Sequence, residues 1–146
     1  MLKLFCDVFL QKKSKHSPDM KPTALRFYAS YNVTVRDIEI VNSPQCHLKF
    51  DNSKRIKVNN ITISSPGNSP NTDGIHLQNT QDVEIQHSSI GSGDDCISIQ
   101  TGCSNIHVHH QLWSRTCVGG LGKDKSVACV SNIVEKVSLQ NTLAGA

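Results

Sequence analysis

The chain has 146 residues, with 15 Lys plus Arg against 12 Asp plus Glu, a formal net charge of +3. That length allows one ordinary domain rather than two, and no apolar run approaches the roughly 18–20 residues of a membrane span. A charge this small and scattered is no nucleic-acid footprint, though it permits an anionic substrate, and a chain rich in Val, Ile, Asn and Ser does not have a disordered composition.

The first ten residues are apolar but carry Asp7, and Gln11-Lys12-Lys13 follow. The charges lie on the wrong side for a secretory leader and no small-residue cleavage site is visible. Residues 1–20 therefore read as a poorly defined N-terminal segment, with the domain proper expected over 21–146. From there the chain repeats itself. Asn32–Ile40, Arg55–Ile63, Asp82–Ile90, Asn105–Val108 and Asn132–Val137 share a polar start followed by alternating β-branched residues. Their anchors Val33, Ile56, Val83, Ile106 and Ile133 are 23, 27, 23 and 27 residues apart. A second set of short strands lies between them: Leu25–Phe27, Leu48–Phe50, Ile75–Leu77 and Ile97–Ile99.

Apolar–polar alternation marks strands with one buried face, and a period of 20–30 residues carrying several such strands marks a solenoid. One turn of such a coil is too small to bury its own apolar face, so stacking must do it, with Asn at the corners able to ladder from turn to turn. The fold expected is all-β, a right-handed parallel β-helix of about five coils. A propeller would have a longer period and aromatic blade motifs, and a sandwich would need hairpin signals that are missing. Neither 1–20 nor 141–146 supplies a cap against edge pairing, so the expectation is a solenoid truncated at both ends, part of a larger domain.

Six cysteines occur, with no CxxC pair, which disfavours a zinc ribbon or a thioredoxin-type site. Cys103, His107, His109, His110 and Cys117 match no known finger spacing, so neither a metal site nor a cofactor is expected. Asn32-Val33-Thr34 and Asn60-Ile61-Thr62 are glycosylation sequons.

The unusual stretch is Ser69-Pro70-Asn71-Thr72-Asp73-Gly74-Ile75-His76-Leu77, followed one coil later by Gly91-Ser92-Gly93-Asp94-Asp95-Cys96-Ile97-Ser98-Ile99. Aligning the two strands puts Asp73 and Asp95 at equivalent positions, about 4.8 Å apart along the stack, with Asp94 beside them. Crowding of like charges should push at least one proton onto this cluster. Three chemistries fit: acid and base carboxylates of a glycosidase, oxygen ligands for Ca²⁺, or a polar corner capping turn N–H groups.

Asn71-Thr72-Asp73 followed by Gly93-Asp94-Asp95-Cys96 resembles the first two signature motifs of the polygalacturonases, the pectin-cleaving family 28 of glycoside hydrolases. Leu121-Gly122-Lys123-Asp124-Lys125-Ser126-Val127-Ala128 is similar to the plant branch. The resemblance implies a partial pectin-lyase-like β-helix domain that hydrolyses α-1,4 bonds between galacturonates with inversion. It implies Asp94 as general acid, Asp73 and Asp95 as activators of the attacking water, and Asn71 lining the substrate site. It also implies a secreted, extracellular, monomeric protein of the plant cell wall, whose partner is polygalacturonate or pectin rather than nucleic acid or membrane. A pectate lyase also acts on this polymer with a β-helix, but through Ca²⁺ and an Arg base; the two motifs favour the hydrolase.

The family's Gly-His-Gly and Arg-Ile-Lys motifs are missing. Where Cys-Gly-Pro-Gly-His-Gly belongs, the chain reads Gln111-Leu112-Trp113-Ser114-Arg115-Thr116-Cys117, a stretch that breaks the coil's alternation. That string can be encoded so that a one-base shift spells Asn-Cys-Gly-Pro-Gly-His, and a frameshifted copy or gene-model error is the expected origin. The family's bridge from the cysteine at position 96 to the third-motif cysteine would then be displaced, leaving Cys117 as the nearest candidate. Weak or absent activity is the expected consequence, with a catalytically dead or carbohydrate-binding β-helix as the alternative.

Overall fold

The computed structural model describes residues 2–5, 22–69, 72–115, 119–121 and 133–140. After β1 (Leu2–Phe5), three strands make each turn. The first turn holds β2 (Leu25–Tyr28), β3 (Tyr31–Arg36) and β4 (Ile38–Val41). The second holds β5 (Leu48–Asp51), β6 (Lys54–Asn59) and β7 (Thr62–Ser64), and the third β8 (Ile75–Gln78), β9 (Gln81–Gln86) and β10 (Ser89–Ser92). The fourth has β11 (Ile97–Ile99) and the long β12 (Ser104–Arg115); β13 (Gly119–Leu121) and β14 (Ile133–Gln140) continue the stack.

All pairing is parallel. One face is the sheet β13-β11-β8-β5-β2. A second stacks β3, β6, β9 and the first half of β12; a third stacks β1, β4, β7, β10 and the second half of β12. The fold is thus the parallel β-helix that the repeat predicts. It makes about four turns against the five expected, with β13 stacked on β11 and β14 on both halves of β12 beyond the fourth, and β1 on β4 at the other end.

Registers show why the sequence period works. Leu25, Leu48, Ile75 and Ile97 stack in one column, Phe27, Phe50, Leu77 and Ile99 in the next. Val33, Ile56, Val83 and Ile106 form another, and Val35, Val58, Ile85 and Val108 a fourth. Ile40, Ile63 and Ile90 line the third face. From Leu48 onward these side chains are buried, each worth roughly 1.5–3 kcal/mol by leaving water.

Each long predicted segment is two strands, not one. The break falls where one residue takes the left-handed conformation: Asp37, Asn60 and His87 have φ of 57°, 51° and 49°, and His110 inside β12 has 51°. Such residues rotate the chain from one face to the next, and Asn and Asp tolerate the conformation better than most residues. Corner ladders form as the asparagines suggest: Asn60 Nδ2 donates to Asp37 Oδ1 at 2.7 Å, and Asn105 Nδ2 to Asp82 Oδ1 at 2.8 Å. The Gln111–Arg115 stretch does not interrupt the backbone; Leu112 to Arg115 pair with Ser89 to Ser92. Backbone pairing needs no side-chain alternation, so the irregular sequence still runs as a strand. No helix among the described residues is long and apolar enough to cross a membrane.

Candidate active site

The first face carries the unusual motifs on the loops that enter it. Backbone pairing extends beyond the strands: His47 N donates to Asp73 O at 3.1 Å, and Gly74 N to Asp95 O at 2.8 Å. The two carboxylates therefore stack on adjacent coils, with Asp94 one residue earlier. One carboxylate oxygen from each of Asp73, Asp94 and Asp95 lies within 4.8 Å of the others, and all three residues are half-buried.

Electrostatics follow from that crowding. Burial, then the charges of Asp73 and Asp94, push the Asp95 carboxyl up to about 6, against the smaller opposing pull of His76 and Ser98. The cluster thus holds a proton in mildly acid solution. Oxygen donors of this kind suit a hard cation such as Ca²⁺, which takes 6–8 oxygen ligands.

Several neighbours fix the three acids. The Asp95 amide donates to Asp94 Oδ1 at 3.0 Å. The Ser92 hydroxyl reaches the carbonyls of Asp94 and Asp95 at 3.1 and 3.2 Å. His76, which points outward from β8, sets Nδ1 3.2 Å from Asp73 Oδ2. Beneath them His47 is fully buried. Its Nδ1 donates to the Asp73 carbonyl at 2.8 Å and its Nε2 accepts from the Ser43 amide at 3.4 Å. That pairing defines a neutral imidazole, and burial lowers its pKa accordingly. Burial, then the charge of Asp73, pushes the nearby Cys46 thiol up to about 12, so it is no nucleophile.

Two glycines bring the loops this close. A Cβ on Gly93 would collide with the Ser69 carbonyl oxygen and lie 2.7 Å from Thr72 Oγ1. A Cβ on Gly74 would collide with the Cys96 carbonyl oxygen and lie 2.6 Å from Ile90 Cγ2. Thr72 Oγ1 in turn donates to the Ser69 carbonyl at 2.7 Å, pinning the loop ahead of Asp73.

Of the residues marked by the sequence, Asp73, Asp94 and Asp95 come together, while Asn71 lies outside the described residues. Cys96 is disulfide-bonded; Cys117 lies outside the described residues. Sequence reasoning missed three contributors. His76 had a usable signal, since alternation along β8 puts it on the outer side of the coil, three residues after Asp73. Ser92 and His47 had none, because their partners are backbone atoms whose positions only the folded coil defines.

The outward column on this face runs Arg26, Lys49, His76, Ser98 from coil to coil. Two cationic side chains and a histidine thus line the axis leading to the carboxylates. Arg26 is shared with Asp51 at 2.6 Å.

A model of the Glycosyl hydrolases family 28 matches residues 7–146. Polygalacturonase QRT2 of Arabidopsis thaliana is 39% identical over 94% of this chain and 33% of its own length. Polygalacturonase-2 of Solanum lycopersicum is 40% identical over 77% of this chain and 25% of its own. Among solved structures, the polygalacturonase from Erwinia carotovora ssp. carotovora superposes with a TM-score of 0.78 at 25% identity, over 85% of this chain and 34% of that one. The chain spans about a third or less of the length of these relatives. The coil, the two motif loops and the family match over nearly its whole length agree: the chain belongs to glycoside hydrolase family 28.

Proposed function

We propose that this chain carries the carboxylate centre of a polygalacturonase, which hydrolyses α-1,4-galacturonosidic bonds in pectin with inversion at the anomeric carbon. One observation supports it most: three carboxylates from two adjacent coils converge, with one of them able to keep a proton up to about pH 6. Asp94 is the general acid that protonates the leaving oxygen. Asp73 and Asp95 orient and deprotonate the attacking water, and Asn71 contacts the sugar. Asp95 is ionised for this role once the pH passes the value of about 6 to which burial and the charges of Asp73 and Asp94 push its carboxyl. Asp73 keeps its place because His76 meets its carboxylate and His47 its carbonyl.

The nearest oxygens here are closer than the roughly 6.5–9.5 Å between the carboxyl groups of typical inverting enzymes. Inversion therefore rests on the family likeness, and the anomer released is its test. The outward Lys49 and Arg26 suit a polymer bearing one carboxylate per sugar, held by charge-assisted hydrogen bonds. The polymer places the protein outside the cell, in the plant cell wall, where it acts as a monomer.

A second reading rests on the missing Gly-His-Gly: a site that binds oligogalacturonate and turns it over slowly or not at all. Reducing-end release from polygalacturonate separates the two, measured for the chain as it stands and for one in which Cys-Gly-Pro-Gly-His-Gly replaces the 111–117 stretch. Hydrolysis by the chain as it stands at the rate of the restored chain sinks the second reading. Inactivity of both sinks the assignment to hydrolysis.

A further inference from the structure

Four of the seven histidines gather away from the carboxylates, at the corner between the second and third faces, the edge of the coil opposite the first. His87 and His110 occupy this corner on adjacent coils, both with positive φ, in the column Asp37, Asn60, His87, His110, Lys136. His107 and His109 lead into it along β12. Ring centroids lie 4.4 Å apart for His107 and His109, 5.0 Å for His109 and His110, 5.0 Å for His87 and His110, and 6.3 Å for His87 and His109. The rings form one continuous patch, with His87 and His110 exposed and the other two half-buried.

We propose that His87, His107, His109 and His110 form a docking surface for polygalacturonate, separate from the carboxylate cleft and engaged when the rings are protonated. The choice of polymer rests on the function proposed above; the surface itself does not need the catalytic carboxylates.

Charge complementarity carries the inference. Imidazole is the side chain that ordinarily changes charge between pH 5 and 8, whereas a sugar carboxylate stays ionised over that range. The charged groups around the rings come from four strands. Glu84 lies on β9, and Glu135 and Lys136 lie on β14. Farther along the same face are Lys57 of β6 and, at the end of β3, Arg36 with Asp37 3.7 Å away. These three cations and three anions balance while the rings are neutral. Protonated rings add up to four positive charges to a surface that had none to spare. Glu84 meets His109 Nε2 at 3.4 Å and Glu135 meets His107 Nε2 at 3.2 Å, which offsets part of that charge. Among the described residues no carboxylate is paired with His87 or His110.

The geometry also supplies the gate. His109 Nδ1 and His110 Nδ1 lie 2.7 Å apart, so the pair holds one proton between them. A further proton makes both nitrogens donors, which cannot face each other. His87, parallel to His110 at 8°, repels it once both are charged. The exposed His110 ring then turns outward, a rotamer change open to a surface side chain, and offers its N–H groups to a carboxylate. Desolvation, then Lys136, His109 and His87, lower the pKa of His110, so this step belongs to acid solution. Single exposed ion pairs are weak and screened by salt. A polymer with a carboxylate on each sugar engages several together, which multiplies weak contacts into useful affinity.

The test is fluorescence anisotropy of end-labelled oligogalacturonate with the chain at pH 5.0 and pH 7.5, in low salt. Binding is expected to be at least tenfold tighter at pH 5.0, and 0.5 M NaCl should remove the gain. His87→Asn with His110→Asn keeps residues that tolerate the corner, as Asn60 does one coil away, and should lose most of the gain while leaving the pH 7.5 affinity unchanged. Lys49→Gln, on the first face, should keep the gain. Proton NMR of the unmodified chain at pH 5.0 should show the histidine ring signals of this patch shifting as oligogalacturonate is added, a readout independent of any variant's folding. Dextran sulfate is the second probe. A gain with it but not with oligogalacturonate overturns the choice of polymer, and no gain with either overturns the surface. A gain that survives the double histidine variant, or unmoved histidine signals, also overturns the surface. A gain that persists in a chain without hydrolytic activity supports it, because docking does not depend on catalysis.

Discussion

Asp95→Asn should make the protein more stable, and only where Asp95 would be charged. Its carboxyl is raised from 3.8 to about 6 in the folded chain, a shift worth about 3 kcal/mol at 1.36 kcal/mol per pK unit. Asp95 is half-exposed, and solvent screening reduces this to about 1 kcal/mol. A folded pKa above the unfolded one means that folding favours the protonated form. The penalty is absent below about pH 4, grows between pH 4 and 6, and is complete above pH 6. Asn has the shape of the neutral acid and carries no charge. The variant should therefore gain about 1 kcal/mol at pH 7, or about 3 °C in Tm for a chain of this size, and almost nothing at pH 4. Thermal denaturation of both proteins at the two pH values reads this directly. An equal gain at both, or a loss at pH 7, would show that the crowded carboxylates do not repel as described. The same substitution should abolish hydrolysis, so that the site is unstable because it is built to react.

Gly93→Ala should destabilise the chain by about 1–3 kcal/mol, because the added methyl meets the Ser69 carbonyl oxygen and must displace the 69–72 loop; denaturant titration measures it. Ile85→Ala, at a fully buried position in the stacked column, should cost about 2–5 kcal/mol with no change at the carboxylates, read by the same titration. Any hydrolysis should decline as pH falls below about 6, where Asp95 takes up a proton and can no longer draw one from the attacking water, in a pH–rate profile on polygalacturonate. Addition of EDTA should leave that hydrolysis unchanged, whereas a calcium-dependent elimination would stop.

Much of the coil was legible because stacking imposes a measurable period. Val33, Ile56, Val83 and Ile106 recur at 23, 27 and 23 residues since each must land on the one before. The third strand per turn was also present, as a change of parity. Ile56 and Val58 alternate, then Ile61 and Ile63 resume after a gap of three, with the left-handed Asn60 in the gap. Read as one strand, that gap passes unnoticed. The carboxylates were legible for the same reason as the coil, since equivalent positions in a stack become neighbours in space. The supports were not. His47 acts through the carbonyl of a residue 26 positions away, and Gly93 through the closeness of two loops. Neither leaves a periodic trace, because each is a single adjustment to one rung.

The most direct test of the account is polygalacturonate incubated with the chain carrying the restored Cys-Gly-Pro-Gly-His-Gly loop, beside the same chain with Asp94→Asn. Reducing ends that appear in the first, start as the inverted anomer by proton NMR, and vanish with the substitution are the predicted result. Reducing ends that persist in the Asp94→Asn chain, or an unsaturated ultraviolet-absorbing product in place of hydrolysis, would contradict it.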